Sequence, residues 1–334
     1  MAAPRRAAGA TPPFTRDGRD MQQYVLRRLL LALPTIGLVS LFAFAVIRLV
    51  PGDVVTLMFE DLGYAESIEV TRQKLGLDQP LHVQYVRWLG QVFSGDLGES
   101  LWTKRPALTI LRERLPVTLE LGAISILVSL VWGVGLGVMS ALRQDSVLDY
   151  VGRSTAIAFL SLPTFWLGTL ALVVPAKYFG WSPSPRYVPF FDDPAANLVQ
   201  FALPGLILGS HLGAPVMRMT RAMMLEVLRQ DYIRTAWAKG LREGVIIARH
   251  AVRNAVIPVV TILGIQLANA IGGTVILETI FQLPGMGSFV VDSVAKRDYP
   301  MLQALVLVFA TFVILVNLVV DVTYGWLDPR IRLR

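Results

Sequence analysis

Apolar residues in this chain gather in long uninterrupted runs rather than in the three-to-four-residue or alternating patterns of a soluble fold. Six stretches, 29–47, 121–142, 154–176, 194–217, 254–277 and 299–320, contain no Asp, Glu, Lys or Arg. At a rise of about 1.5 Å per residue, each can cross a hydrocarbon core about 30 Å thick. Backbone in lipid must satisfy its own hydrogen bonds, so such runs predict helices. The expected architecture is an all-α integral membrane protein with six transmembrane helices.

Local punctuation refines this picture. Pro51-Gly52-Asp53 stops the first helix sharply. In the region that follows, to about residue 116, Leu81, Tyr85, Trp88 and Leu89 share one helical face. Short helices lying against the outer membrane surface account for that pattern. In the second span, Gly133 and Gly137 have the small-xxx-small spacing that lets helices approach closely. Pro163, in "SLPTFW", predicts a kink in the third span. The fifth span reads "LGIQLANAIGGTV", with Gln266 and Asn269 about one turn apart and Gly272-Gly273 beyond.

Composition agrees with a membrane chain. Of 334 residues 16% are charged, against about a quarter in a soluble domain, and the mean hydropathy is +0.55. The net charge of +7 is unevenly placed. Segments 1–28, 143–153, 218–253 and 321–334 hold six, two, eight and three Lys or Arg, nineteen together, while 177–193 and 278–298 hold two each. This asymmetry predicts that both termini and the 218–253 loop face the cytoplasm. A nucleic-acid surface would interleave aromatic residues with the basic ones on a soluble face, and none does. Residues 1–20 read as a disordered cytoplasmic tail, and the basic flank of the first span as a retained signal-anchor. With no cysteine there is no disulfide or thiolate chemistry. His82, His211 and His250 stand apart from each other and from acidic clusters, so no metal site is expected, and His211 between Gly209 and Gly213 should be packed.

One polar segment is out of place in so apolar a chain: "DYIRTAWAKGLREGVIIARHAVRNAVIP", residues 231–258. Asp231 can cap a helix in which Ile233, Ala236 and Trp237 share a face, while Arg234 and Lys239 point elsewhere. Gly240 stands where a helix ends and positive φ is cheap. A helix-Gly-helix hairpin of this kind presents an apolar ridge on a basic stem. The alternative is a basic loop that only fixes orientation and rests on lipid headgroups.

The segment resembles the cytoplasmic signature of ATP-binding-cassette importer permeases, with Thr235-Ala236-Trp237 where the general pattern has Glu-Ala-Ala. Further along, "PGD", "LGLDQPL…QY…WL…GDLGES", "TLELG", "SLPTFWLG", "LETIFQLPGMG", "RDYPMLQ" and "ILVNLVVDVTYGWLDPRIR" resemble, in order and at matching spacing, the dipeptide, oligopeptide and nickel permease branch. The likeness is to the first of the two permeases in such systems. It implies a type I importer fold with a long external region after helix 1. The corresponding division is 1–20 tail, 21–116 first helix with external region, 117–325 permease domain with coupling loop 218–253, and 326–334 cytoplasmic tail.

The resemblance also implies an assembly in the bacterial cytoplasmic membrane: a second permease, two ATP-binding subunits and an extracytoplasmic substrate-binding protein. Arg234, Thr235, Ala236, Trp237, Lys239, Gly240 and Leu241 would form the helix that docks on the ATPases. Cargo would be di- or oligopeptides, with nickel or another small solute as the alternative. The residues agree that energy comes from elsewhere. A phosphate-binding loop needs Gly-Lys-Ser/Thr, and none of the five lysines follows a glycine. No cofactor is therefore expected on this chain, ATP and Mg²⁺ belonging to the partners. Intramembrane hydrolase motifs are absent, as is the internal repeat common in secondary transporters.

For the pathway, Gln266, Asn269, Gly272 and Gly273 are the candidates, because polar groups at membrane depth face protein or a water-filled cavity. Interhelical hydrogen bonding is the competing reading. Asn317 and Asp321 are expected to pack at the inner boundary, and Glu120 and Glu278 to be solvated at span ends.

Overall fold

The computed structural model describes residues 18–49, 78–184 and 186–327. The tail to residue 17, the Pro51-Gly52-Asp53 stop, the first part of the external region and the tail beyond residue 327 lie outside the described residues. Among those described there is no strand, only an isolated bridge between Glu99 and Pro106. The helices run α1 (Gly18–Leu49), α2 (Leu81–Phe93), α3 (Ala107–Leu142), α4 (Val147–Ser161), α5 (Thr164–Phe179), α6 (Pro194–Leu228) and α7 (Asp231–Ala238). A short α8 (Glu243–Val245) passes through a π-helical stretch (Ile246–Val252) into α9 (Arg253–Ile280), and α10 (Met286–Ala295) and α11 (Tyr299–Leu327) complete the order.

Among the described residues, five segments are long and apolar enough to cross a membrane: Val25–Ala45 of α1, α3, α6, Pro258–Ile280 of α9 and Tyr299–Val320 of α11. The α4–α5 pair reaches that length and apolarity only jointly, and not as a kinked helix. Its halves meet at 100°. Leu162 and Pro163 are both extended, at ψ 127° and 138°, because proline pushes the preceding residue out of the α region and lacks the N–H that would continue the helix.

The centre of the bundle is the parallel pair α3 and α6, joined through small residues. Gly133 and Gly137 of α3 lie against Gly213, Val216 and Thr220 of α6, so closely that a Cβ on either would stand within 3 Å of backbone oxygen. From the other side Gly205, Gly209 and Gly213, four residues apart, lie against Ile124, Val128 and Trp132. The close approach predicted for Gly133 and Gly137 is present, and the triplet on α6 completes it.

Among the described residues, three of the four clusters of buried side chains mark the two ends and the middle of this pair, the fourth joining Ala214 and Met217 of α6 to Ala156 of α4. At one end Ala107, Ile110 and Leu111 of α3 meet Met286 and Phe289 of α10 and Met301 and Leu305 of α11. In the middle Leu121, Phe201, Leu208 and Leu277 join α3, α6 and α9. At the far end Ala141 and Met224 meet Ile233 and Ala236 of α7. On the flank, α2 docks on α1: Tyr85 and Trp88 ring centroids lie 5.2 and 5.9 Å from Phe44, and the Tyr85 hydroxyl is 2.8 Å from Ser40 Oγ. Tyr85, Trp88 and Leu89 are thus half-buried, while Leu81, expected on the same face, is exposed.

Candidate functional site

Two residues, Arg229 and Gln230, separate α6 from α7, with extended Gln230 turning the chain. Gln230 takes the N-cap position and makes no side-chain cap, so Asp231 is the first helical residue rather than the cap. Its carboxylate lies 3.3 Å from Arg234 on the surface, at the helix end where negative charge is favoured. The other end closes as a Schellman motif. Gly240 N–H donates to Trp237 O at 2.9 Å, Leu241 N–H points to Ala236 O at 3.4 Å, and Gly240 has φ +71°. The glycine is required by that left-handed turn, since nothing crowds its Cβ direction.

The face expected to hold Ile233, Ala236 and Trp237 together divides. Ile233 and Ala236 are buried against Met224, Ala141, Ile246, Ala251 and Ala255 of the same chain. That packing seats α7 on its own bundle and takes Ala236 out of any surface offered to a partner. Trp237 is 48% exposed, and Tyr232, Leu241 and Val245 are exposed beside it. Arg234, Thr235, Lys239 and Gly240 are exposed as well. The result is a short helix fixed underneath and bearing an aromatic and aliphatic rim among cations.

The four residues proposed for the pathway separate in the same way. Gln266 is buried and donates from Nε2 to the Leu212 carbonyl at 2.7 Å, linking α9 to α6. Gly273 packs against Leu208 of α6 with no room for a Cβ. Both are therefore interhelical contacts rather than lining. Asn269 is exposed, its Nδ2 donating to Gln266 Oε1 at 3.2 Å, and Gly272 is exposed with open space above it. They belong to a stripe of exposed positions on α9, Thr261, Ile265, Asn269, Gly272, Ile276 and Thr279, spaced three and four apart.

Glu278 is not solvated at a span end; it is fully buried. Thr118 Oγ1 of α3 donates to it at 2.7 Å and the Ser288 N–H of α10 at 3.0 Å, while Thr118 also accepts the Met286 N–H at 2.8 Å. Gly285 and Gly287 lie against the carboxylate, which is the structural reason for both glycines of "LPGMG". Glu120 is half-buried, with one oxygen shielded from solvent. Asn317 is exposed on α11 rather than packed, and the side chain of Asp321 lies outside the described residues. His211 Nδ1 is 2.8 Å from the Phe159 carbonyl, a packed histidine as expected.

Comparison with known proteins places this geometry. Residues 21–122 match the N-terminal model, and residues 133–333 the main model, of the binding-protein-dependent transport system inner membrane component. The dipeptide transport system permease protein DppB of Alkalihalophilus pseudofirmus is 37% identical over 332 residues, covering 93% of this chain and 100% of that protein. The glutathione transport system permease protein GsiC of Salmonella paratyphi A is 39% identical over 312 residues, covering 93% and 99%. Among solved structures, the MetNI methionine ABC transporter in inward-facing conformations aligns with TM-score 0.53 at 15% identity, covering 66% of this chain and 96% of that one. An amino acid ABC transporter aligns with TM-score 0.50 at 11% identity, covering 66% and 94%. These last two show the same fold.

Proposed function

Because the chain belongs to the family of binding-protein-dependent transport system inner membrane components, we propose that it forms half of a peptide-translocating pathway and that α7 is the handle by which separate ATPase subunits drive it. It is a multi-pass inner-membrane permease subunit of an ATP-binding-cassette importer. Peptides are its cargo, a reading supported by whole-length similarity to proteins named for dipeptide and glutathione transport. Both termini and α7 face the cytoplasm, following the excess of Lys and Arg in those segments.

The observation that carries the mechanism is the rim of α7. A solvent-facing helix has little reason to expose Tyr232, Trp237 and Leu241 together unless a partner covers them. Two ATPases, one under this chain and one under a sister permease, close on ATP and Mg²⁺ and displace their docking grooves. α7 follows, and because it is seated on α3, α6 and the start of α9, those helices turn with it. Rigid-body rocking of this kind opens the pathway on one side as it closes on the other. Asn269 and Gly272 line the opened pathway, where an uncharged amide side chain can meet peptide amides and an absent side chain leaves width. A substrate-binding protein delivers cargo at the opposite end, where α10 lies. The test is reconstitution in liposomes with the sister permease, ATPases and binding protein. ATP-dependent accumulation of labelled peptide is expected, and accumulation independent of ATPases would refute the reading.

A further inference from the structure

Asp149 sits in the first turn of α4 and is wholly buried, at the end of the bundle that carries α7. Arg221 of α6 grips it through a planar fork: Nε donates to Oδ1 and Nη2 to Oδ2, each at 2.7 Å. Ser140 Oγ, from the last turn of α3, donates to Oδ1, and the Asp145 N–H, from the α3–α4 turn, donates to Oδ2 at 3.0 Å. One carboxylate thus gathers donors from α3, from the turn after it and from α6. By contrast, the ion pairs Arg105–Glu113 and Arg234–Asp231 have both partners exposed.

A buried ion pair is a poor source of net stability, because desolvation offsets most of its attraction and apolar residues of the same volume often serve as well. What a bidentate guanidinium–carboxylate contact supplies is geometry: it holds two planes in register and resists rotation. Its position fits that use. Arg221 lies seven residues, about two turns, before the end of α6. Near it α7 is packed against Met224 of α6 and Ala141 of α3, so a push on α7 loads both helices. The apolar seam of α3 and α6 sets how closely the helices approach, and the fork adds a directional polar restraint at its end that also takes in α4.

We propose that Arg221 and Asp149 form a transmission joint that makes α6 and the α3–α4 hairpin move as one body when α7 is displaced. Both are positioning residues that touch neither cargo nor nucleotide. The inference rests on the reading of α7 as the contact for the ATPases.

The test uses the complete reconstituted complex and compares Arg221→Met, Arg221→Lys and Ser140→Ala with wild type. Assembly, ATP hydrolysis and peptide delivered per ATP are measured separately. Arg221→Met is expected to hydrolyse ATP at close to the wild-type rate but to deliver about tenfold less peptide per ATP, within the range of ordinary coupling free energies. Arg221→Lys, which keeps the charge without the fork, should recover part of the loss, and Ser140→Ala should show a smaller loss. If Arg221→Met does not accumulate, Ser140→Ala and Arg221→Lys decide, since both leave the charge pair in place. Unchanged peptide per ATP in the assembled variants overturns the joint, even if they melt earlier. A wild-type complex whose ATPases do not contact α7 would instead overturn the α7 reading, and the joint with it.

Discussion

Gly285 lies against the buried carboxylate of Glu278, leaving no space for a Cβ between them. Through Thr118 and the Ser288 N–H the same carboxylate ties α3, α9 and α10 into one corner. Gly285→Ala must push the carboxylate off its donors or shift the backbone. Overpacking of this kind costs about 1–3 kcal/mol. A clearly lower thermal unfolding midpoint in detergent is expected, whereas Gly90→Ala on α2, with open space at its Cβ position, should not lower it.

The α3–α6 seam offers a sharper comparison. Gly133 and Gly137 face backbone oxygens of α6, while Gly135, between them, faces open space. Gly133→Ala should destabilise the chain, again by about 1–3 kcal/mol. Gly135→Ala should be neutral or stabilising by up to about 1 kcal/mol, because glycine weakens a helix interior. Unfolding by denaturant in micelles reads both, and equal effects would mean that the seam is not packed as described.

How far the sequence carried this account differs from element to element. Charge-free runs located the spans but not their ends: α3 starts at Ala107 and takes in Arg112, Glu113 and Arg114, because a helix continues past the hydrocarbon where its charges find water or partners. Pro163 was visible as a break, but the size of the bend depends on two successive extended residues. Gly240 was legible because left-handed backbone has a strong residue preference. A helical wheel groups Trp237 with Ile233 and Ala236, but the contact beneath covers only the last two and leaves Trp237 exposed. Gln266 stood out as polar, yet its partner is a backbone carbonyl, which has no sequence signature. Asp149 and Arg221 are 72 residues apart. Ser146 caps α4 by accepting the Asp149 N–H, a local contact that carries no sign of Arg221.

Gln266 and Asn269 are neighbours on α9 with opposite expected phenotypes. Gln266→Ala removes an interhelical bond and should lower stability modestly, by about 0.6 kcal/mol, the mean for such bonds in membranes. Asn269→Ala should leave the unfolding midpoint near wild type and reduce peptide uptake. Uptake and thermal unfolding on the same preparations separate them; loss of uptake only in Gln266→Ala would reverse the assignment.

The account stands on Trp237 being covered by an ATPase subunit. Its most direct measurement is the affinity of purified ATPase subunits for the permease complex in nanodiscs, wild type against Trp237→Ala, with Trp181→Ala, exposed at the other end, as control. An interface tryptophan of this kind is worth about 2 kcal/mol, so binding should weaken about 30-fold in Trp237→Ala and stay unchanged in the control. Equal affinity for wild type and Trp237→Ala would contradict the account.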